Sequence, residues 1–173
     1  MSERNFSHVK VVVIDDNKNM RELLKAMLQA FGVKTILEAD DGETGLQLIK
    51  TERPDFLFTD YAMKPMDGIE FTKIIRRMDK DIATIPIIMI TGHTERRYVE
   101  LARDAGVTDT LCKPVTALGL YTRICNAVDH PRKFVRSPHY TGPDRRRRDS
   151  KDYAGERRRA EDKAEEKLDL TFL

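Results

Sequence analysis

Five short apolar runs alternate with five amphipathic ones along the chain up to about residue 128. The apolar runs are Val9–Ile14, Lys34–Glu38, Asp55–Thr59, Ile85–Ile90 and Asp109–Cys112. Most are β-branched and apolar at consecutive positions, the pattern of parallel strands covered on both faces. The intervening segments carry helical spacing. Met20, Leu23, Leu24, Met27, Leu28 and Phe31 define a first stripe that ends at Gly32. Leu46, Leu48 and Ile49 mark a second helix, and Ile69, Phe71, Ile74, Ile75 and Met78 a third. Tyr98, Val99, Leu101 and Ala102 mark a fourth, which stops near Gly106, and Leu118, Leu120, Tyr121, Ile124 and Val128 a fifth with Thr116 as its cap. This β-α alternation with short connections predicts right-handed crossovers and an α/β fold built on an open, doubly wound parallel sheet.

The pattern changes after that. Pro131, Pro138, Gly142 and Pro143 forbid a long helix between about residues 130 and 144. Arginine runs follow at Arg145–Arg148 and Arg157–Arg159, with acids interleaved. The expected organisation is a folded domain over 7–128 and an arginine-rich, largely extended or disordered tail over 129–173. A short helix over 156–168 is expected within the tail, since Arg157–Glu161 and Arg158–Asp162 pair at helical spacing.

Composition refines this only a little. An apolar share of 40% supports one core in 173 residues, and a net charge of +2 gives no chain-wide field toward nucleic acid or membrane. Arg145–Arg148 is the one candidate nucleic-acid contact, but Asp144, Asp149 and Asp152 dilute its field, which favours a solvated extension. No stretch approaches the roughly 18 uninterrupted apolar residues of a membrane helix, and the start lacks the apolar segment of a secretory signal. Cys112 and Cys125 have no ligand-like spacing and read as reduced, partly buried thiols. The expected location is the cytoplasm.

Chemistry is sought at the carboxyl ends of the strands, where open parallel sheets bind ligands. Strand one ends in Asp15 and Asp16, strand three in Asp60, strand four in Thr91, and Lys113-Pro114 follows strand five. Taken singly, these are a helix cap, a loop acid, a turn and a surface lysine. Their joint placement at four strand ends points instead to one rim. Three carboxylates close together repel unless a cation compensates them, and Mg²⁺ suits few carboxylates with phosphate oxygens. Asp60 is then a nucleophile for phosphorus. Lys113 and the metal neutralise the transferring phosphoryl oxygens, and the Thr91 hydroxyl donates to one of them.

Val11–Asp16, Phe56–Gly68, Ile87–Gly92 and Lys113-Pro114 together resemble the receiver domain of two-component response regulators, chemotaxis regulators among them. The resemblance spans residues 7 to 128. It implies a five-stranded sheet in the flavodoxin-like order 2-1-3-4-5 and a phosphoacceptor, not an enzyme in the ordinary sense. Asp60 would take its phosphoryl group from a histidine kinase or histidine phosphotransfer protein and pass the signal to a protein effector. Asp15, Asp16, Asp60 and the Ala62 carbonyl would bind Mg²⁺, Thr91 and Lys113 would read the phosphoryl group, and the Lys113-Pro114 bond would be cis. One departure stands out. The family often has an aromatic residue three positions before the lysine, coupled to the threonine as a switch, and here that position is Thr110. Tyr98 is the stand-in considered, with ordinary packing as its alternative. Two other outputs remain open: nucleic-acid binding through the arginine tail, and a phosphate sink without an effector.

Overall fold

The computed structural model describes residues 5–145. Five parallel strands form the sheet: β1 (Lys10–Ile14), β2 (Thr35–Ala39), β3 (Phe56–Asp60), β4 (Ile87–Thr91) and β5 (Asp109–Cys112). Their order is β2-β1-β3-β4-β5, as expected from the sequence. Registers such as Ile14↔Thr59, Asp60↔Ile90 and Thr91↔Cys112 bring the strand ends level. Among the described residues six helices connect and flank them: α1 (Lys18–Ala30), α2 (Gly42–Glu52), α3 (Gly68–Arg76), the short α4 (Lys80–Ala83), α5 (Arg96–Ala105) and α6 (Ala117–Asp129).

Consecutive apolar positions in the strands are explained by two cores, one on each face. Val11, Val13, Phe58, Ile88 and Ile90 pack with Leu24 and Leu28 of α1 and Leu120 and Ile124 of α6. The alternate residues Val12, Ile14, Leu57 and Ile87 pack with Ile49 of α2, Phe71 and Ile75 of α3, and Ile82 of α4. A side chain on either parity is therefore out of water, which stabilises by about 1.5–3 kcal/mol for each large aliphatic residue. Helix starts follow capping chemistry. Asn17, Asp41, Asp67, Asp79 and Thr116 each accept a backbone N–H of the first turn.

Beyond α6 the chain makes an antiparallel hairpin of β6 (Phe134–Arg136) and β7 (Thr141–Pro143). It covers a place where α3, the α4–β4 connection and the α5–β5 turn meet, and the residue at that meeting point is charged. Arg76 is 2% exposed. Its Nε donates to the Gly106 carbonyl at 2.9 Å, and its Nη1 donates to the carbonyls of Ala83 at 2.6 Å and Ile85 at 2.8 Å. Phe134 lies 5.7 Å from the guanidinium carbon. Gly106 ends α5 with φ +98°, and a Cβ there would stand 2.9 Å from the Thr141 carbonyl oxygen. Glycine is needed twice over, for the left-handed turn and for the approach of the hairpin. Arg136 donates to the Met78 carbonyl at 3.2 Å, and the Tyr140 hydroxyl to the Pro143 carbonyl at 2.6 Å.

Arg145, first of the arginine run, lies 4.5 Å over the Tyr140 ring and pairs with Asp104 at 3.3 Å. The rest of that run and the expected helix over 156–168 lie outside the described residues. No helix among the described residues is long and apolar enough to cross a membrane. Both thiols are free; Cys125 is half-buried, whereas Cys112, at the end of the edge strand, is exposed.

Candidate phosphoacceptor site

The strand ends converge as the topology requires. One carboxylate oxygen each from Asp15, Asp16 and Asp60 lies within 4.8 Å of the others. Asp15 and Asp60 are buried, at 1% and 5% exposure, and Asp16 is open to solvent. Lys113 reaches across from the end of β5. Its Nζ is 2.7 Å from Asp60 Oδ1, and 3.7 Å from Asp15 Oδ2, an ion pair too long for a hydrogen bond. Thr91 is buried at the end of the neighbouring strand, and its Oγ1 accepts the His93 backbone N–H at 3.0 Å. The Lys113-Pro114 bond is cis, as is Lys64-Pro65, which the sequence did not suggest.

Backbone groups set the carboxylates. Asp15 Oδ1 accepts from the Asn17 N–H at 2.8 Å, which leaves Oδ2 buried without a hydrogen-bond partner among the described residues. Asp60 Oδ2 accepts from the Ala62 N–H at 2.8 Å while Oδ1 faces Lys113. Burial is the main cause that raises the Asp15 pKa, and the charges of Asp60 and Asp16 add to it against the Asn17 N–H and Lys113. Burial pulls the Lys113 pKa down, but the hydrogen bond and charge of Asp60, with Asp15 and Asp16 behind it, leave it raised. A buried oxygen without a donor, in a site of three acids and one ammonium, has the chemistry of a hard-cation ligand. The residues present therefore fit a bound divalent ion.

Gly68 opens α3 directly behind Asp60. A Cβ on it would collide with the Asp60 carbonyl oxygen and touch Met89. Gly68→Val should displace the end of β3, costing about 2–4 kcal/mol in a urea titration and slowing phosphoryl uptake in parallel; unchanged values for both would show that the turn yields freely.

An aromatic group adjoins the rim, and it joins Tyr61 and His93 to the Tyr98 singled out in the sequence. His93 stacks on Tyr98 at 4.0 Å, and Tyr61, the residue after Asp60, meets both rings edge-on at 5.3 and 5.5 Å. Tyr98 thus touches the residue after Asp60 and the residue whose N–H donates to Thr91, while Thr110 sits on β5 opposite Met89. Tyr98 is the stand-in considered for an aromatic at 110; for Tyr61 and His93 the sequence signal is that each follows a strand end closely.

The fold and this rim define a phosphoacceptor module. Residues 11–125 match the response regulator receiver domain family, and the chain belongs to that family. It is a phosphoacceptor rather than a conventional enzyme. It is similar to the chemotaxis protein CheY-3 of Vibrio cholerae, with 36% identity over 117 residues, 68% of this chain and 89% of that one. It is also 34% identical over 116 residues to the chemotaxis protein CheY of Pseudomonas aeruginosa, covering 67% and 93% of the two chains. Among solved structures, the chemotaxis response regulator CheY4 of Vibrio cholerae superposes with a TM-score of 0.64 at 29% identity, over 68% of this chain and 97% of that one. The protein is thus a CheY-like regulator whose acidic pocket comprises Asp15, Asp16 and Asp60 beside Lys113. Family membership implies a histidine kinase as a partner.

Proposed function

We propose that Asp60 accepts a phosphoryl group from a histidine kinase or histidine phosphotransfer protein and that the acyl phosphate switches binding of a protein effector in the cytoplasm. The observation that carries this reading is Lys113 Nζ at 2.7 Å from Asp60 Oδ1, beside a second buried acid. A carboxylate oxygen of Asp60 attacks phosphorus, the bond from phosphorus to the donor nitrogen breaks, and the new P–O bond makes the acyl phosphate. Lys113 meets the negative charge on the phosphoryl oxygens, and the Thr91 hydroxyl donates to one of them. Mg²⁺ held by Asp15, Asp16, Asp60 and the Ala62 carbonyl supplies further charge neutralisation when bound.

Thr91 donating to a phosphoryl oxygen would draw its hydroxyl away from the His93 N–H. The His93–Tyr98 stack gives that movement a route to α5 in place of an aromatic at 110. Effector binding follows as a population shift. The test is capture of binding partners by the full chain with beryllofluoride and Mg²⁺, beside the chain without beryllofluoride. A partner retained only with the phosphoryl mimic supports the switch. Identical partners in both, with rapid turnover of label on Asp60, would leave the phosphate-sink reading instead.

Acid should oppose the metal. With its pKa raised, Asp15 is protonated at a higher pH than an ordinary aspartate, and a protonated acid cannot compensate a cation. Mg²⁺ affinity measured calorimetrically should therefore fall as pH drops through that raised value. In the metal-free protein the sign reverses: the Asp15 contribution to stability is present at low pH and is lost as pH rises through its folded pKa. Mg²⁺ affinity constant from neutral pH down to the ordinary carboxylate range would contradict a liganding role for Asp15.

A further inference from the structure

The second concentration of charge lies at the other end of α3, roughly 12 Å along the helix from the acceptor. Between α3, the end of α5 and the turn of the β6–β7 hairpin is a pocket of about 230 Å³, lined by Lys73, Arg76, Arg77, Asp104 and the hairpin residues 137–141. Arg76 is buried without an acidic partner among the described residues; its three bonds are to neutral carbonyls, and its Nη2 has no hydrogen-bond partner. Burial lowers its pKa to about 10, so it still carries its charge at neutral pH. Lys73 and Arg77 are exposed on either side of it and make no ion pair among the described residues. The one acid in the pocket is already shared, since Asp104 Oδ1 lies 3.1 Å from Arg103 and 3.3 Å from Arg145.

We propose that this pocket binds a phosphate group, free or carried by a small molecule. Three cationic side chains surround a space whose only carboxylate is engaged by two other guanidiniums, so the local excess of positive charge calls for an anion. Guanidiniums and an ammonium suit phosphate oxygens as donors. The volume, below the usual 300–1,000 Å³ of drug-sized ligand sites, favours a small group over a polymer. The hairpin that closes the pocket lies outside residues 11–125, so this chain's extension completes a site whose cations sit on α3 of the matched receiver segment. An anion there would join α3 to the hairpin turn and hold the cover over Arg76 in place.

The experiment uses the full chain carrying Asp60→Asn, in chelator, so that uptake at the rim cannot contribute. Amide chemical shifts are followed while inorganic phosphate, or in a second arm a nucleoside 5′-monophosphate, is added at constant ionic strength. Saturable shifts at residues 73–77 and 137–141 are expected, with affinity reduced about tenfold by Lys73→Gln and again by Arg77→Gln. Tighter binding of the nucleotide would identify an esterified phosphate as the ligand, and tighter binding of inorganic phosphate the free ion. Shifts confined to residues near Thr91 and Lys113, equal shifts with chloride, or unchanged affinity in both variants would overturn the proposal.

Discussion

Asparagine at position 60 is expected to abolish phosphoryl uptake, leaving no detectable covalent phosphate by intact-protein mass measurement after exposure to a small acyl phosphate donor with Mg²⁺. An amide nitrogen or oxygen is a poor nucleophile for phosphorus, and no other carboxylate occupies the same place: Lys113 Nζ lies 2.7 Å from Asp60 but 3.7 Å from Asp15, and Asp16 is open to solvent. The same substitution should leave stability nearly untouched, within about 1 kcal/mol, because two effects oppose each other. Removing one of three clustered negative charges relieves repulsion, while Lys113 loses the partner it holds at 2.7 Å. Lys113→Met separates the roles. The acceptor remains, but uptake should slow by about two orders of magnitude with the loss of one preorganised cation. Label found on the Asp60→Asn chain at the rate of the parent would place the acceptor elsewhere.

Arg76→Met is expected to cost the fold about 3 kcal/mol, read as a lower urea midpoint, although the residue is remote from Asp60. Methionine matches much of the side-chain volume but donates nothing. The carbonyls of Gly106, Ala83 and Ile85 would then be left in a buried space, each losing a charge-assisted bond. Arg76→Lys should recover only part of the loss, since a compact ammonium cannot reproduce the separate Nε and Nη1 donors. A midpoint within about 0.5 kcal/mol of the parent for Arg76→Met would mean that water replaces the guanidinium at all three carbonyls.

The five sheet strands were readable because burial on both faces leaves an unbroken apolar run; Val11, Val12, Val13 and Ile14 are all buried. Their ends shifted by only one or two residues, as Ile85 and Pro86 lead into β4 without joining it. The rim was readable for a related reason: in a parallel sheet the strand ends are level, so position in sequence becomes position in space. Helix α4 was not anticipated, since four residues with Ile82 and Ala83 as their only buried members show no period. Each hairpin strand has three residues, too few to show a period, and β7 contains glycine and proline, which are depleted in strands. What holds them is remote in the chain: Gly106, Arg76 and Asp104. Arg76 itself left one trace. With Ile69 and Thr72 it falls at helical spacing on the buried side of α3, where a charge is out of place.

The docked hairpin also bears on how the molecule can be cut or fused. A fragment that stops at the end of α6 would strip Phe134, Thr141 and Gly142 from the foot of α3 and α5 and wet a guanidinium that the intact chain keeps dry. Reporter tags or partner modules appended there would inherit a loosened base, whereas a junction placed past Arg145 keeps the clasp of Tyr140, Arg145 and Asp104 closed.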